Sequence, residues 1–277
     1  MNSTQPQNPV PFFVTIPHSG EKVPEECSWL KALPEEILMC DVDRFVDRLY
    51  EPALGMLKIS SIKTEWHRYA ADLNRIPEDV DAASVQEHLN AAGLHNRGFH
   101  WQITTKKQAL MKSPMPLELH EKLIKLIYEP FHESIRNQYR MFNSSSLKSV
   151  FQLDAHSMPS LGTSEHRDPG QQRAEIVVSD CKGLSSCPQF VDLVIAAYAK
   201  AGFKVGYNWP YFGGRVSEQY GDPKRGQHVV QVEMNRALYM NEETKKLLPD
   251  SSAIQQIQEK LQKALAYIQD HLILGLN

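Results

Sequence analysis

The sequence predicts an α/β fold, a single domain with one open, mixed sheet flanked by helices. Three observations carry that expectation. Short β-branched and aromatic runs alternate with stretches of helical apolar spacing along the whole chain. The first strand run stops abruptly in Pro17-His18-Ser19-Gly20, a turn signal. No internal repeat, low-complexity tract or shift in composition marks a second domain, so one domain is expected over 12–277 behind a flexible tail at 1–11.

The elements follow in order. Phe12-Phe13-Val14-Thr15-Ile16 reads as a buried strand, and Leu30–Leu38 as a short helix. Asp41–Leu57 repeats apolar residues at Val42, Phe45, Val46, Leu49, Tyr50 and Leu54, which is helical spacing opened by acids. A second strand is expected over Met56–Ile62, and an irregular, His-bearing excursion over 76–116. Leu117–Phe142 predicts the strongest helix, interrupted near Pro130, with a turn at Ser144-Ser145-Ser146. Ser149–Asp154 predicts a strand running into Ala155-His156-Ser157, and Ala174–Ser179 another. A helix over Phe190–Ala201 ends at Gly202, followed by strands at Lys204–Tyr207 and His228–Met234. Ser251–Leu274 closes the chain as an amphipathic helix.

Composition removes several function classes. The chain has 277 residues, 42% hydrophobic and 23% charged, enough to bury a substantial core without staples. Its 30 basic and 33 acidic residues leave a net charge of −3, which argues against nucleic-acid partners and a polybasic membrane anchor. No apolar run approaches the ~20 residues of a spanning helix, and the first eleven residues lack a secretory pattern. Cys27, Cys40, Cys181 and Cys187 show no Cys-x-x-Cys spacing, which suits free thiols in a reducing, cytoplasmic compartment.

Chemistry should gather at the carboxyl ends of the strands. One strand run ends in His18 and another in Asp154-Ala155-His156-Ser157, while a third carries Glu233. Zinc hydrolases use three protein ligands and leave a fourth position open. His18 and His156 supply two, and the third should be a carboxylate. Glu21 makes an His-x-x-Glu turn with His18, while Asp41 and Asp43 stand at the expected start of a helix; spacing leaves all three open. Asp154 could orient a ligating imidazole. Glu233, on the apolar run Val229, Val230, Val232 and Met234, is a candidate buried base. Asn74 and Arg75 together suit a carboxylate, and Arg68 could polarise a carbonyl oxygen.

These residues sit in blocks that resemble the N-formylglutamate amidohydrolases, a family similar to the zinc carboxypeptidases and to aspartoacylase and succinylglutamate desuccinylase. The blocks are Pro17–Gly20, Asp41–Tyr50, Arg68–Arg75, Asp154–Ser157 and much of Asn208–Asn241, in the expected order. The resemblance implies a phosphorylase/hydrolase-like, zinc carboxypeptidase-like α/β fold holding one Zn²⁺. It implies an amide hydrolase acting on a small carboxylate-bearing substrate such as N-formylglutamate, with neither nucleic acid nor membrane as partner. His18 and His156 are carried over as ligands, with Asp41 favoured as the third and Glu21 and Asp43 as alternatives. Glu233 is carried over as the base, Arg68 as the oxyanion partner, and Asn74 and Arg75 as grips for a substrate carboxylate.

Two segments depart from the family pattern. Where the family runs Thr-Arg-His-Tyr-Gly, this chain has Ser217-Glu218-Gln219-Tyr220-Gly221, and Arg215 appears nearby. An acid at 218 would repel a second substrate carboxylate unless Arg215 takes it over. Residues 160–170 also diverge. A peptidase or amidase acting on other acidic or cell-wall peptides, or a non-catalytic relative that binds such ligands, is the rival expectation.

Overall fold

Strand β1 (Phe12–Ile16) is buried over its whole length, as suits a strand covered on both faces whose apolar run is broken only by Thr15. It belongs to the central sheet of the computed structural model, which describes residues 10–88, 96–143 and 149–275. Most of the expected tail, and the turn expected at 144–146, lie outside the described residues. Pro11 is already joined to the sheet, its carbonyl accepting from the Phe151 N–H at 2.7 Å.

The helix expected over Leu30–Leu38 is two, α1 (Ser28–Lys31) and α2 (Glu35–Leu38). Pro34 separates them, because proline disfavours helical geometry in the residue before it. Helix α3 is Val46–Leu57 rather than Asp41–Leu57. Phe45 takes a left-handed φ of 71°, so residues 41–45 form an irregular turn and the acids there are freed from any helix. Pro52 inside α3 cannot donate to the Arg48 carbonyl; Gln258 Nε2 donates to it instead, at 3.2 Å. Strand β2 is Ser60–Lys63, shifted from the expected 56–62 because α3 runs through Leu57.

The long helix expected over Leu117–Phe142 appears as α4 (Leu117–Leu123), a wide π turn (Ile124–Tyr128) and α5 (Glu129–Asn143). The wide turn lies directly before Pro130, where it accommodates the ring against the preceding turn. Strand β3 (Val150–Met158) extends through Ser157, so His156 stands within a strand and not after one. There follow β4 (Ile176–Ser179), α6 (Pro188–Lys200), β5 (Val205–Tyr207), α7 (Arg215–Tyr220) and β6 (Gln227–Asn235). A small hairpin of β7 (Met240–Asn241) and β8 (Lys246–Leu247) leads to α8 (Ser251–Leu274), whose bounds match the sequence expectation. No helix among the described residues is long and apolar enough to cross a membrane.

The sheet order is β2-β1-β3-β6-β4-β5. Strands β2, β1, β3 and β6 are parallel; β4 runs antiparallel to β6 and parallel to β5, so the sheet is mixed. Side chains alternate between its faces. Val14, Leu153, Val230 and Val232 pack with Leu49 of α3, Val194 of α6 and Leu261 and Leu265 of α8. The Tyr50 and Tyr198 hydroxyls, 2.7 Å apart, join α3 to α6 within that layer. The opposite face carries Phe13 and Val229 against Ile135 and Tyr139 of α5.

Toward the carboxyl ends this second face turns polar. Register pairs Thr15 with Asp154 and Asp154 with Gln231, and one step further pairs His156 with Glu233. Tyr139 Oη donates to Gln152 Oε1 at 2.9 Å, Gln152 Nε2 to Thr15 Oγ1 at 3.0 Å, and Thr15 Oγ1 to Asp154 Oδ1 at 2.6 Å. Each side chain in this Tyr139–Gln152–Thr15–Asp154 relay is thereby satisfied by the next.

Irregular segment 64–75 is held by buried imidazoles. His67 Nε2 donates to the Leu38 carbonyl while its Nδ1 accepts from the Tyr69 N–H. His132 Nε2 donates to the Leu73 carbonyl while its Nδ1 accepts from the Tyr220 hydroxyl. His100 Nδ1 donates to the Ala70 carbonyl while its Nε2 faces His120. Burial pushes His67 and His132 down to about 4 and His100 to about 3. A histidine near 6.5 when unfolded and near 4 when folded binds fewer protons in the native state between those values, so stability falls as pH drops below ~6.5. Each group contributes up to roughly 1.4 kcal/mol per pH unit in that window; Glu233, pushed up by burial, and His156, raised by Asp154 beside it, oppose the three of them. The urea midpoint of metal-free protein is therefore expected to be lower at pH 5 than at pH 6.5. An equal or higher midpoint at pH 5 would contradict the neutral assignment.

Candidate metal centre

His18 follows β1 in the turn whose Gly20 lies flat against the Glu65–Trp66 backbone, a contact with no room for a Cβ. His156 enters from β3. Their rings lie 4.8 Å apart between centroids, at 68°. Asp43, from the irregular turn before α3, stands between them: its Oδ2 is 2.9 Å from His156 Nδ1 and 3.6 Å from His18 Nδ1. All three are buried, with ligand-capable atoms within 4.8 Å of one another.

Both imidazoles are oriented from behind by a carboxylate. His18 Nε2 donates to Asp72 Oδ1 at 2.7 Å, and His156 Nε2 to Asp154 Oδ2 at 2.9 Å. Each therefore turns Nδ1 toward Asp43 Oδ2, and His18 Nδ1 has no hydrogen-bond partner although it is buried. Carboxylate behind, imidazole between and a shared point in front is how metal-binding histidines are held. The donor set, two imidazole nitrogens and one carboxylate oxygen, fits a zinc-type cation with room for a further ligand.

Electrostatics follow from that packing. Burial works against ionisation of Asp43, but the hydrogen bond with His156, the nearby His18 imidazole and the charge of Arg236 outweigh it and hold the carboxyl well below its usual range. Burial likewise opposes ionised Asp72, and the charges of His18 and Arg68 prevail. Burial disfavours a charged His156, yet Asp154 beside it raises the imidazole well above its ordinary value. Glu233 is pushed up by burial. Its Oε1 accepts from Gln231 Nε2 at 2.7 Å, while Oε2 is buried without a partner.

The third carboxylate is where sequence reasoning pointed to a different residue. The resemblance favours Asp41, but the structure brings its alternative Asp43 to the histidines. Tyr69 Oη donates to Asp41 Oδ2 at 2.7 Å and the Thr105 N–H and hydroxyl donate to its two oxygens, so that carboxylate is spent on tying the 96–111 loop to the fold. Glu21 is also elsewhere, accepting from Arg44 Nε and Nη2 at 2.8 and 3.2 Å.

A cavity of about 510 Å³ opens beside the cluster and includes Glu233, Arg68, Asn74, Arg75 and Arg215 in its lining. Arg68 is largely committed: Nη1 donates to the Asp41 carbonyl at 2.8 Å and Nη2 to Asp72 Oδ2 at 2.9 Å, while its guanidinium lies 4.6 Å over the Trp101 ring. Its Nε has no partner. Asn74 is partly structural, its Oδ1 accepting from the Val216 N–H at 2.8 Å to hold the glycine turn before α7. Arg75 is exposed at the cavity. Arg215 lies 3.6 Å from Glu218, so the acid that departs from the family pattern partly neutralises the nearby arginine.

Sequence reasoning missed two residues. Asp72 lies inside the Arg68–Arg75 block, where residue type points first to its neighbours; only the tertiary contact with His18 reveals it. Arg236, three positions after Glu233, is buried and donates from Nη2 to Asp43 Oδ1 at 2.9 Å. An arginine directly after an apolar strand was the one available signal.

A sequence profile described as N-formylglutamate amidohydrolase matches residues 10–240. The chain belongs to that family. Every residue of the cluster, from His18 to Arg236, lies inside the matched span, and α8 lies beyond it. Two relatives are named N-formylglutamate deformylase. The one from Pseudomonas putida is 25% identical over 238 residues, covering 85% of this chain and 84% of its own. The one from Pseudomonas aeruginosa is 26% identical over 242 residues, covering 84% of each. The crystal structure of an N-formylglutamate amidohydrolase from Ralstonia eutropha JMP134 superposes with a TM-score of 0.85 at 23% identity, over 98% of this chain and 96% of that one. A gene product of Agrobacterium tumefaciens, Atu2144, superposes at 0.64 with 16% identity, over 92% of this chain and 90% of that one. Those likenesses agree on the α/β fold of the family.

Proposed function

We propose that this chain hydrolyses the amide bond of a small N-acyl substrate bearing carboxylates, with N-formylglutamate the first candidate, at a zinc centre held by His18, Asp43 and His156. The observation that carries the reading is the convergence of two carboxylate-backed imidazoles on Asp43 Oδ2 beside an unpartnered Glu233 oxygen. The names of the two Pseudomonas relatives supply the substrate candidate. When bound, such a cation lowers the pKa of coordinated water toward ~7 and polarises a carbonyl.

The chain's own residues do the rest. Glu233 Oε2 accepts the proton of the attacking water and returns it to the leaving nitrogen, a task suited to a carboxyl whose affinity for protons burial has raised. Arg68 Nε offers a donor to the oxygen on which charge develops. Arg75, with Asn74 Nδ2 beside it, holds a substrate carboxylate and so orients the amide. Arg215 offers a second, weaker grip because Glu218 shares it. The four free cysteines suit a reducing, cytoplasmic setting.

Purified protein is expected to hold one divalent ion per chain and to release formate from N-formylglutamate in a chelator-sensitive manner. Metal-free protein with full turnover would overturn the reading. Hydrolysis of acidic peptides in preference to N-formylglutamate would favour the peptidase alternative, which the Arg215–Glu218 pair supports. Binding of N-acyl amino acids without turnover would mark a non-catalytic relative.

A further inference from the structure

Asp43 sits in a stretch without regular secondary structure, and its backbone is tied to the site by the hydrogen bond from its N–H to the His18 carbonyl at 3.0 Å. That bond places the residue but leaves the carboxylate free to rotate. Two donors stop it. Arg236 Nη2 donates to Oδ1 at 2.9 Å, and Ser157 Oγ donates to the same oxygen at 3.1 Å. Arg236 Nε in turn donates to Ser157 Oγ at 3.0 Å, which directs the hydroxyl proton toward Asp43.

Arg236 is itself clamped. Its Nη1 donates to the Cys40 carbonyl at 3.1 Å, and Nη2 approaches the Asp41 and Ser157 carbonyls at 3.3 Å. One guanidinium thus joins the start of the 40–43 turn, the end of β3 and the Asp43 side chain. The planar fork matters here, because an ammonium would not span these acceptors in the same geometry.

We propose that Arg236 and Ser157 are positioning residues that reserve Asp43 Oδ1 and so present Asp43 to the metal through Oδ2 alone. The inference rests on the ligand set proposed above. A carboxylate with one oxygen saturated by two donors cannot close both oxygens on a cation, so a coordination position that a two-oxygen grip would fill stays open to substrate and water.

The test uses full-length protein stripped of metal and titrated with Zn²⁺ against a chromophoric chelator, then with Co²⁺ alone to follow its visible spectrum. Ser157→Ala and Arg236→Lys are expected to weaken zinc affinity by roughly 10- to 100-fold, the usual cost of losing a partner behind a ligand. Lysine keeps the charge, so a simple change in attraction for the cation does not account for the loss. Ser157→Thr keeps the hydroxyl and is expected to restore wild-type affinity. In Ser157→Ala the Co²⁺ absorption should weaken, as coordination number rises when Asp43 grips with both oxygens. Zinc affinity and Co²⁺ spectra unchanged in both Ser157→Ala and Arg236→Lys would overturn the proposal while leaving the ligand set intact. Should Arg236→Lys not fold, the Ser157→Ala and Ser157→Thr pair decides alone. Wild-type protein that binds neither ion would instead remove the ligand set, and this inference with it.

Discussion

Replacing Glu233 by glutamine is expected to lower kcat by roughly 10²–10⁴ while the protein keeps its metal. Glutamine has nearly the same shape and can still accept from Gln231, whose Nε2 now donates to Glu233 Oε1 at 2.7 Å. What it loses is the lone pair on Oε2 that has no partner in the fold. A buried carboxylate oxygen left without a donor is costly, and such a cost is retained where chemistry uses the group. The variant should therefore melt, without metal, at or above the wild-type temperature, because a neutral amide tolerates the site better than a charge. Steady-state kinetics, metal analysis and thermal melting check the three parts. Unchanged kcat would assign the base elsewhere, and loss of metal would make Glu233 a ligand.

The two aspartates of the 41–43 turn are expected to behave in opposite ways. Asp43→Asn should cost more metal affinity than the roughly 10- to 100-fold typical of an outer partner, since it alters the one carboxylate that both imidazoles face. Asp41→Asn should leave metal content unchanged and destabilise the fold by about 1–3 kcal/mol, because Asp41 accepts from Tyr69 and Thr105 and anchors a loop of the cavity wall. Chelator competition and urea melts on both variants separate the roles. The reverse pattern, with metal lost in Asp41→Asn and kept in Asp43→Asn, would require the turn to rearrange around the cation.

Legibility in the sequence followed the range of the interactions. Strand β1 and helix α8 have the bounds expected from their patterns, because apolar continuity and helical periodicity are local properties. Where boundaries moved, a local backbone preference overrode the apolar pattern: the left-handed φ of Phe45 shortened α3, and Pro34 split the helix expected before it. His18, His156 and Glu233 stood out as chemically unusual residues on strand runs. The family was legible as well, because its blocks occur in order over most of the chain.

The geometry of the His18–Asp43–His156 cluster was not legible. Asp41 and Asp43 are two positions apart and equally acidic, and no spacing rule separates them. The choice falls to Arg236, which is 193 residues from Asp43 and buried against it, and to Tyr69 and Thr105, which engage Asp41 first. The same holds for Asp72 behind His18 and for the pairing of His156 with Glu233, set by the parallel register of β3 and β6. Side-chain type and local periodicity are written residue by residue, so the elements and the ordered blocks of the family could be read from the sequence alone. Which oxygen meets which nitrogen depends on strands and turns distant along the chain being packed together, and that became visible only in the folded protein.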